Sequence, residues 1–217
     1  MTSAADRVPA PLLVLAGIVS VQFGGALAAT LVPVIGAGGS VVLRLLFATA
    51  LLLDLVRRRW LRHSRRAWLT VTAFGVALGL MNFTFYSSLA HLPIGVAVTI
   101  EFIGPLTLAA ALSRRWLDAV AVLAAAGGVV LISEALHTPW AELEKTGIAL
   151  ALLAGAFWAA YIVLAGRTGA EFPKLEGLAI AMVVATVVTL PLGAFSAPSW
   201  TPEILLKAFG IAVLSSV

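Results

Sequence analysis

The sequence contains no cysteine, and only 11% of its 217 residues are charged. Without thiols it can form neither disulfides nor thiolate metal sites. Soluble domains carry about 25% charged residues, so a freely soluble globule is excluded. Histidine is scarce as well. His63, His91 and His137 all fall in loop segments without HExxH spacing, and neither a GxSxG elbow nor a phosphate-binding glycine loop occurs. The chain is therefore not read as an enzyme, and no cofactor or metal is expected. The short alternating strands of a membrane β-barrel are missing too.

What remains is apolar. Hydrophobic residues make up 61% of the chain, and the mean hydropathy is +1.07. Apolar runs long enough to cross a bilayer recur from end to end, which makes this an all-α, polytopic helical membrane protein. Seven spans are expected near 11–33, 39–56, 67–90, 94–113, 116–133, 147–166 and 176–195, with an eighth starting at about 204. GALAAT, ending at Thr30, has the small residues of a signal-peptidase site. The apolar stretch 11–34 is long for a signal peptide and further spans follow it, so it reads as the first transmembrane helix.

Base exceeds acid, 14 to 10, and its placement gives the orientation. Arg7, the six arginines of RRRWLRHSRR (57–66), Arg114, Arg115, Arg167 and Lys174 fall on one alternating set of segments, whereas only Lys145 and Lys207 fall on the other. Basic loops stay cytoplasmic, which puts the N-terminus inside and argues against a nucleic-acid partner. Trp60, Trp68, Trp116, Trp140 and Trp200 lie near span ends and read as interface anchors.

Two segments recur. AFGVAL at 73–78 returns as AFGIAV at 208–213, and FATALLL at 47–53 aligns with VATVVTL at 184–190, an offset of 137. A first unit of five spans leaves the second inverted in the membrane, an architecture common among secondary transporters. The expected division is 1–145 for the first five-helix unit and 146–217 for the start of the second. An equal second copy would end at about residue 280, so the chain is expected to be a fragment or truncated product.

Few costly side chains lie within the spans. Glu101, in GVAVTIEFIGPLTLAAALSRRW (95–116), sits near mid-depth, where an acidic residue costs about 2.5–3.5 kcal/mol on insertion scales. No water reaches it there unless a cavity supplies it, which makes Glu101 a candidate for proton handling or substrate contact. Arg44 in the second span has three readings: pairing with Glu101, binding a substrate carboxylate, or snorkelling to headgroups. Gln22, Asn82 and Tyr86 serve either interhelical packing or substrate contact. Trp158 and Tyr161 are mid-span aromatics that line a cavity or pack between helices. Pro105, one turn after Glu101, frees a backbone carbonyl and, with Gly104, marks a structural kink. The run Ala124–Gly128 suits close packing within the bundle, or else a homodimer contact.

The run FGVALGLMNFTFYSSLAHLPIGVAVTIEFIGPLTLAAALSRRWLD (74–118) resembles the third to fifth spans of EamA-type transporters of the drug/metabolite transporter superfamily. It is most similar to their threonine/homoserine exporter branch, in which NxxFYxALxxIPLGIAVTIEFxGPLxxA recurs. SVQFGGALAATLVPVIGAGG (20–39) and VVLRLLFATALLL (41–53) resemble that branch's first two spans. The resemblance implies ten spans in two inverted five-helix units, exporting amino acids or similar small polar metabolites from the bacterial inner membrane, with coupling to protons. Glu101 matches the family's mid-membrane acid, and Asn82, Tyr86, Gly104 and Pro105 match its motif partners. His91 departs from it, standing where arginine or lysine is more usual. The alternatives are a truncated, non-transporting protein or subunit that needs a partner chain, and a lipid or lipid-linked sugar flippase.

Overall fold

In a computed structural model the described residues are 10–56, 63–132, 139, 143–173, 175–194 and 201–216. They form seven helical stretches and no strand: α1 (Ala10–Leu55), α2 (Arg65–Ser88), α3 (Ile94–Leu112), α4 (Trp116–Ile132), α5 (Lys145–Glu171), α6 (Glu176–Ala194) and α7 (Pro202–Ser216). Helix is the expected answer, because within a bilayer every backbone N–H and C=O must find its partner inside the segment. Among the described residues, Arg65–Ser88, Ile94–Leu112, Lys145–Glu171 and Glu176–Gly193 are each long and apolar enough to span a membrane, as is Phe23–Asp54 when counted across its break.

α1 is two helices joined at Gly36, whose φ of 75° and ψ of 168° leave helical space. An L side chain is strained there. Leu27 lies against Gly210, and Phe47 meets Phe209 edge-on with ring centroids 5.6 Å apart. A straight helix would hold positions 27 and 47 about 30 Å apart. Two neighbouring residues of α7 touch both, so the chain doubles back at Gly36 and two limbs, 10–35 and 37–55, lie along α7. These limbs are the first two expected spans, and the turn falls within the expected VIGAGG segment. The other elements agree with the expected spans to within a few residues, although α5 extends to Glu171.

Sequence signals set the helix ends. Ser64 caps α2, its hydroxyl accepting from the Ala67 N–H at 3.1 Å, and Pro93 precedes the first turn of α3. At the far end of α2, the His91 ring nitrogen Nδ1 and the Glu144 carboxylate lie 2.7 Å apart in a hydrogen bond that ties the α2–α3 turn to the start of α5.

Packing interleaves the chain. α5 lies against both α2 and α3, α6 against α2 and α1, and α7 against α1. Small residues allow the backbones to approach. A Cβ on Gly75 would lie 2.5 Å from the Ala181 carbonyl oxygen, which brings α2 onto α6. α4 packs on α3 and presents Leu117, Val120, Leu123 and Leu131 outward. The run Ala124–Gly128 does not pack inside the bundle as expected. Ala124, Ala125 and Gly127 are exposed, and a Cβ on Gly127 or Gly128 meets nothing within 4 Å. Helical periodicity puts Ala124 and Gly127 on the outward face with Val120 and Leu131.

Candidate functional site

On α3 the buried positions are Val96, Ala97, Ile100 and Glu101, a stripe spaced i, i+1, i+4, i+5 that marks one helix face. Glu101 falls on this apolar stripe and is carried into the bundle with it. Gly104 continues the stripe by one turn. A Cβ there would collide with the backbone of Gly155 on α5, and a Cβ on Gly155 would lie 2.5 Å from the Glu101 carbonyl oxygen. That carbonyl is the one Pro105, lacking an N–H, cannot engage. α3 nonetheless remains one helix through both residues. Gly104 and Pro105 thus act at a close helix crossing, where backbone C–H groups face carbonyl oxygens in the manner of weak hydrogen bonds.

The crossing brings Trp158, one turn beyond Gly155, beside Glu101. Its indole meets Phe102 at a centroid distance of 4.9 Å, edge to face. From α2 come Asn82 and Tyr86, both buried. Asn82 Nδ2 donates to the Leu78 carbonyl at 2.8 Å, which turns its Oδ1 toward the second limb of α1. There the Arg44 guanidinium donates to Asn82 Oδ1 and, at 3.4 Å, to the Tyr86 hydroxyl. It also lies 6.0 Å from the Tyr86 ring centroid, within cation–π range. Held in this way, Arg44 points into the bundle rather than snorkelling to headgroups.

These residues share one cavity of about 170 Å³, lined by Gly25, Arg44, Met81, Asn82, Phe85, Tyr86, Glu101 and Trp158. Five residues singled out in the sequence therefore meet at one place: Arg44, Asn82, Tyr86, Glu101 and Trp158. Tyr161 is not on the wall. It packs against Phe74 with centroids 5.2 Å apart. The side chain of Gln22 lies outside the described residues. Met81, Phe85 and Gly25 complete the wall. The first two could have been found from the spacing 81/82/85/86, which shares the face of Asn82 and Tyr86, whereas Gly25 carries no side-chain signal.

The cavity presents a fixed cation and a carboxyl group between apolar and aromatic walls, with room for several waters or one small polar solute. A guanidinium suits a carboxylate, which it can grip through two parallel hydrogen bonds. Glu101 offers a complementary acceptor for an ammonium group. Among the described residues no group of three metal-ligating side chains occurs.

No protein-family model matches the sequence, and no solved structure matches the fold. Among curated proteins, the threonine/homoserine exporter RhtA of Salmonella typhimurium (strain SL1344) is 37% identical over 207 residues, covering 94% of this chain and 70% of the relative. RhtA of Escherichia coli (strain K12) is 36% identical over 206 residues, covering 94% and 69%. These relatives are transporters rather than enzymes. With identity of this extent across the cavity-forming helices, the chain is a multi-pass membrane protein of the RhtA family of EamA-type exporters.

Proposed function

We propose that the cavity binds a small amino acid as its zwitterion and that the protein exports it across the bacterial inner membrane. The observation that carries this reading is the placement of Arg44 and Glu101 on one cavity wall. Arg44 takes the substrate carboxylate, and Glu101 faces its ammonium group. Asn82 and Tyr86 hold Arg44 in position. The relatives' names point to threonine and homoserine as the substrates to try first. Threonine is small enough to suit a cavity of this size.

Coupling to protons runs through Glu101 in this reading. With a proton on the carboxyl the ammonium group loses its partner, and with the proton gone the site accepts substrate. Replacing Glu101→Gln is expected to abolish proton-driven threonine flux into inverted vesicles, with Arg44 still in place. Undiminished proton-driven flux in that variant contradicts the assignment.

The division into inverted units, 1–145 and 146–217, belongs to the same proposal, with the N-terminus and the arginine-rich segment 57–66 cytoplasmic. Thr49 and Thr186 support it. They stand at equivalent positions of FATALLL and VATVVTL, and their hydroxyls hydrogen-bond each other at 2.9 Å across 137 residues. Repeat mates meet in this way on a two-fold axis. The units interleave, because α5 of the second packs on α2 and α3 of the first. Alternating access would therefore carry α3 together with α5 instead of rocking two separate blocks.

A further inference from the structure

We infer that Gly25 sets the upper size limit of the substrate, an inference that rests on the cavity being the substrate site. Gly25 lies on the first limb of α1 and lines the cavity. A Cβ added to it meets no atom within 4 Å. Among the described residues the only positive-φ glycine is Gly36, so backbone conformation does not demand glycine at position 25. Packing does not demand it either, in contrast to Gly104 and Gly155, where a Cβ would strike the opposing backbone. Glycine is a poor residue for the interior of a helix, and here neither strain nor a close helix contact accounts for it. Gly127 and Gly166 are equally open, but of these glycines it is Gly25 that lines the cavity, and there the missing side chain leaves space for a solute.

That space matters because the rest of the wall is already filled. Met81, Phe85 and Trp158 carry large side chains, and Arg44 with Glu101 fixes the charged head of an amino acid. The substrate side chain must then occupy whatever volume is left beside them. Gly25 is the position on the wall of this cavity of about 170 Å³ at which a Cβ adds to the protein without displacing a packed neighbour. A single methylene in an apolar pocket discriminates between substrates by about 10-fold or more.

The test is uptake of labelled alanine and threonine by proteoliposomes containing the full chain, comparing the parent with Gly25→Ala, Gly25→Val and Gly25→Leu. The alanine-to-threonine flux ratio is expected to rise along the series, by about 10-fold or more at Gly25→Leu. Should Gly25→Leu fail to reach the membrane, Gly25→Ala and Gly25→Val decide the question with the same ordering and a smaller shift. An unchanged ratio overturns the inference, as does equal loss of both fluxes in a variant whose melting temperature matches the parent. Arg44→Gln in the same assay separates the two layers. If it abolishes flux while the Gly25 series leaves the ratio flat, the size limit alone fails. If Arg44→Gln leaves flux intact, the substrate site itself is misassigned and the size limit falls with it.

Discussion

Where α3 crosses α5, a side chain on Gly104 or Gly155 would run into facing backbone, whereas on the first limb of α1 a side chain on Gly25 would meet open space. The residue type is the same, but only Gly25 lines the cavity, and the physical demands are opposite. At the crossing, glycine allows two helices to approach until carbonyl oxygens face backbone C–H groups. On the cavity wall, glycine leaves room for something that is not protein. The crossing brings Glu101 and Trp158 to the cavity, and Gly25 adds no side chain to its wall.

The comparison breaks most visibly under one substitution made twice. Gly155→Ala is expected to destabilise the protein by about 1–3 kcal/mol, because overpacking against backbone has no rotamer to relieve it. Gly25→Ala should leave stability unchanged or raise it by up to about 1 kcal/mol, the gain in helix propensity. Thermal melts of the two variants in detergent check this, and equal melting temperatures would remove the distinction.

A smaller effect sharpens the picture at the other side of the bundle. Thr186 already donates its hydroxyl proton to the Met182 carbonyl at 2.8 Å, so Thr49 is the donor in their mutual hydrogen bond. Thr49→Val should cost about 0.6 kcal/mol, the average for such bonds within membranes, and should leave the flux ratio of alanine to threonine unmoved. A loss of several times that amount would mean that this contact organises the two-fold arrangement instead of merely lying on it.

Much of the fold was legible because span length and hydropathy are imposed by the bilayer. All eight helical rods, counting the two limbs of α1, lie close to where apolar runs and Gly/Pro punctuation placed them. The polar part of the site was legible for a related reason. Glu101, Arg44 and Asn82 are expensive within a span, and the bundle gathers them around one cavity, where Arg44 bonds to Asn82. Trp158 and Tyr161 show where that logic ends. Both are mid-span aromatics on α5, but they lie three residues apart on a helix, and only the neighbours decide which of them faces the cavity and which packs on Phe74. Ala124–Gly128 failed in the same way, since small residues permit close packing without supplying a partner. Gly25 could not be found at all, because its contribution is a missing side chain.

The central claim is that Arg44 and Glu101 hold a zwitterion between them. It is tested most directly by equilibrium binding of threonine and of threonine amide to the purified protein, in the parent and in Arg44→Gln. The parent is expected to bind threonine at least about 10-fold more tightly than the amide, the discrimination typical of a lost charge-assisted hydrogen bond. Arg44→Gln should erase that preference. Equal affinity of the parent for both ligands would contradict the account, because the guanidinium would then not be reading the carboxylate.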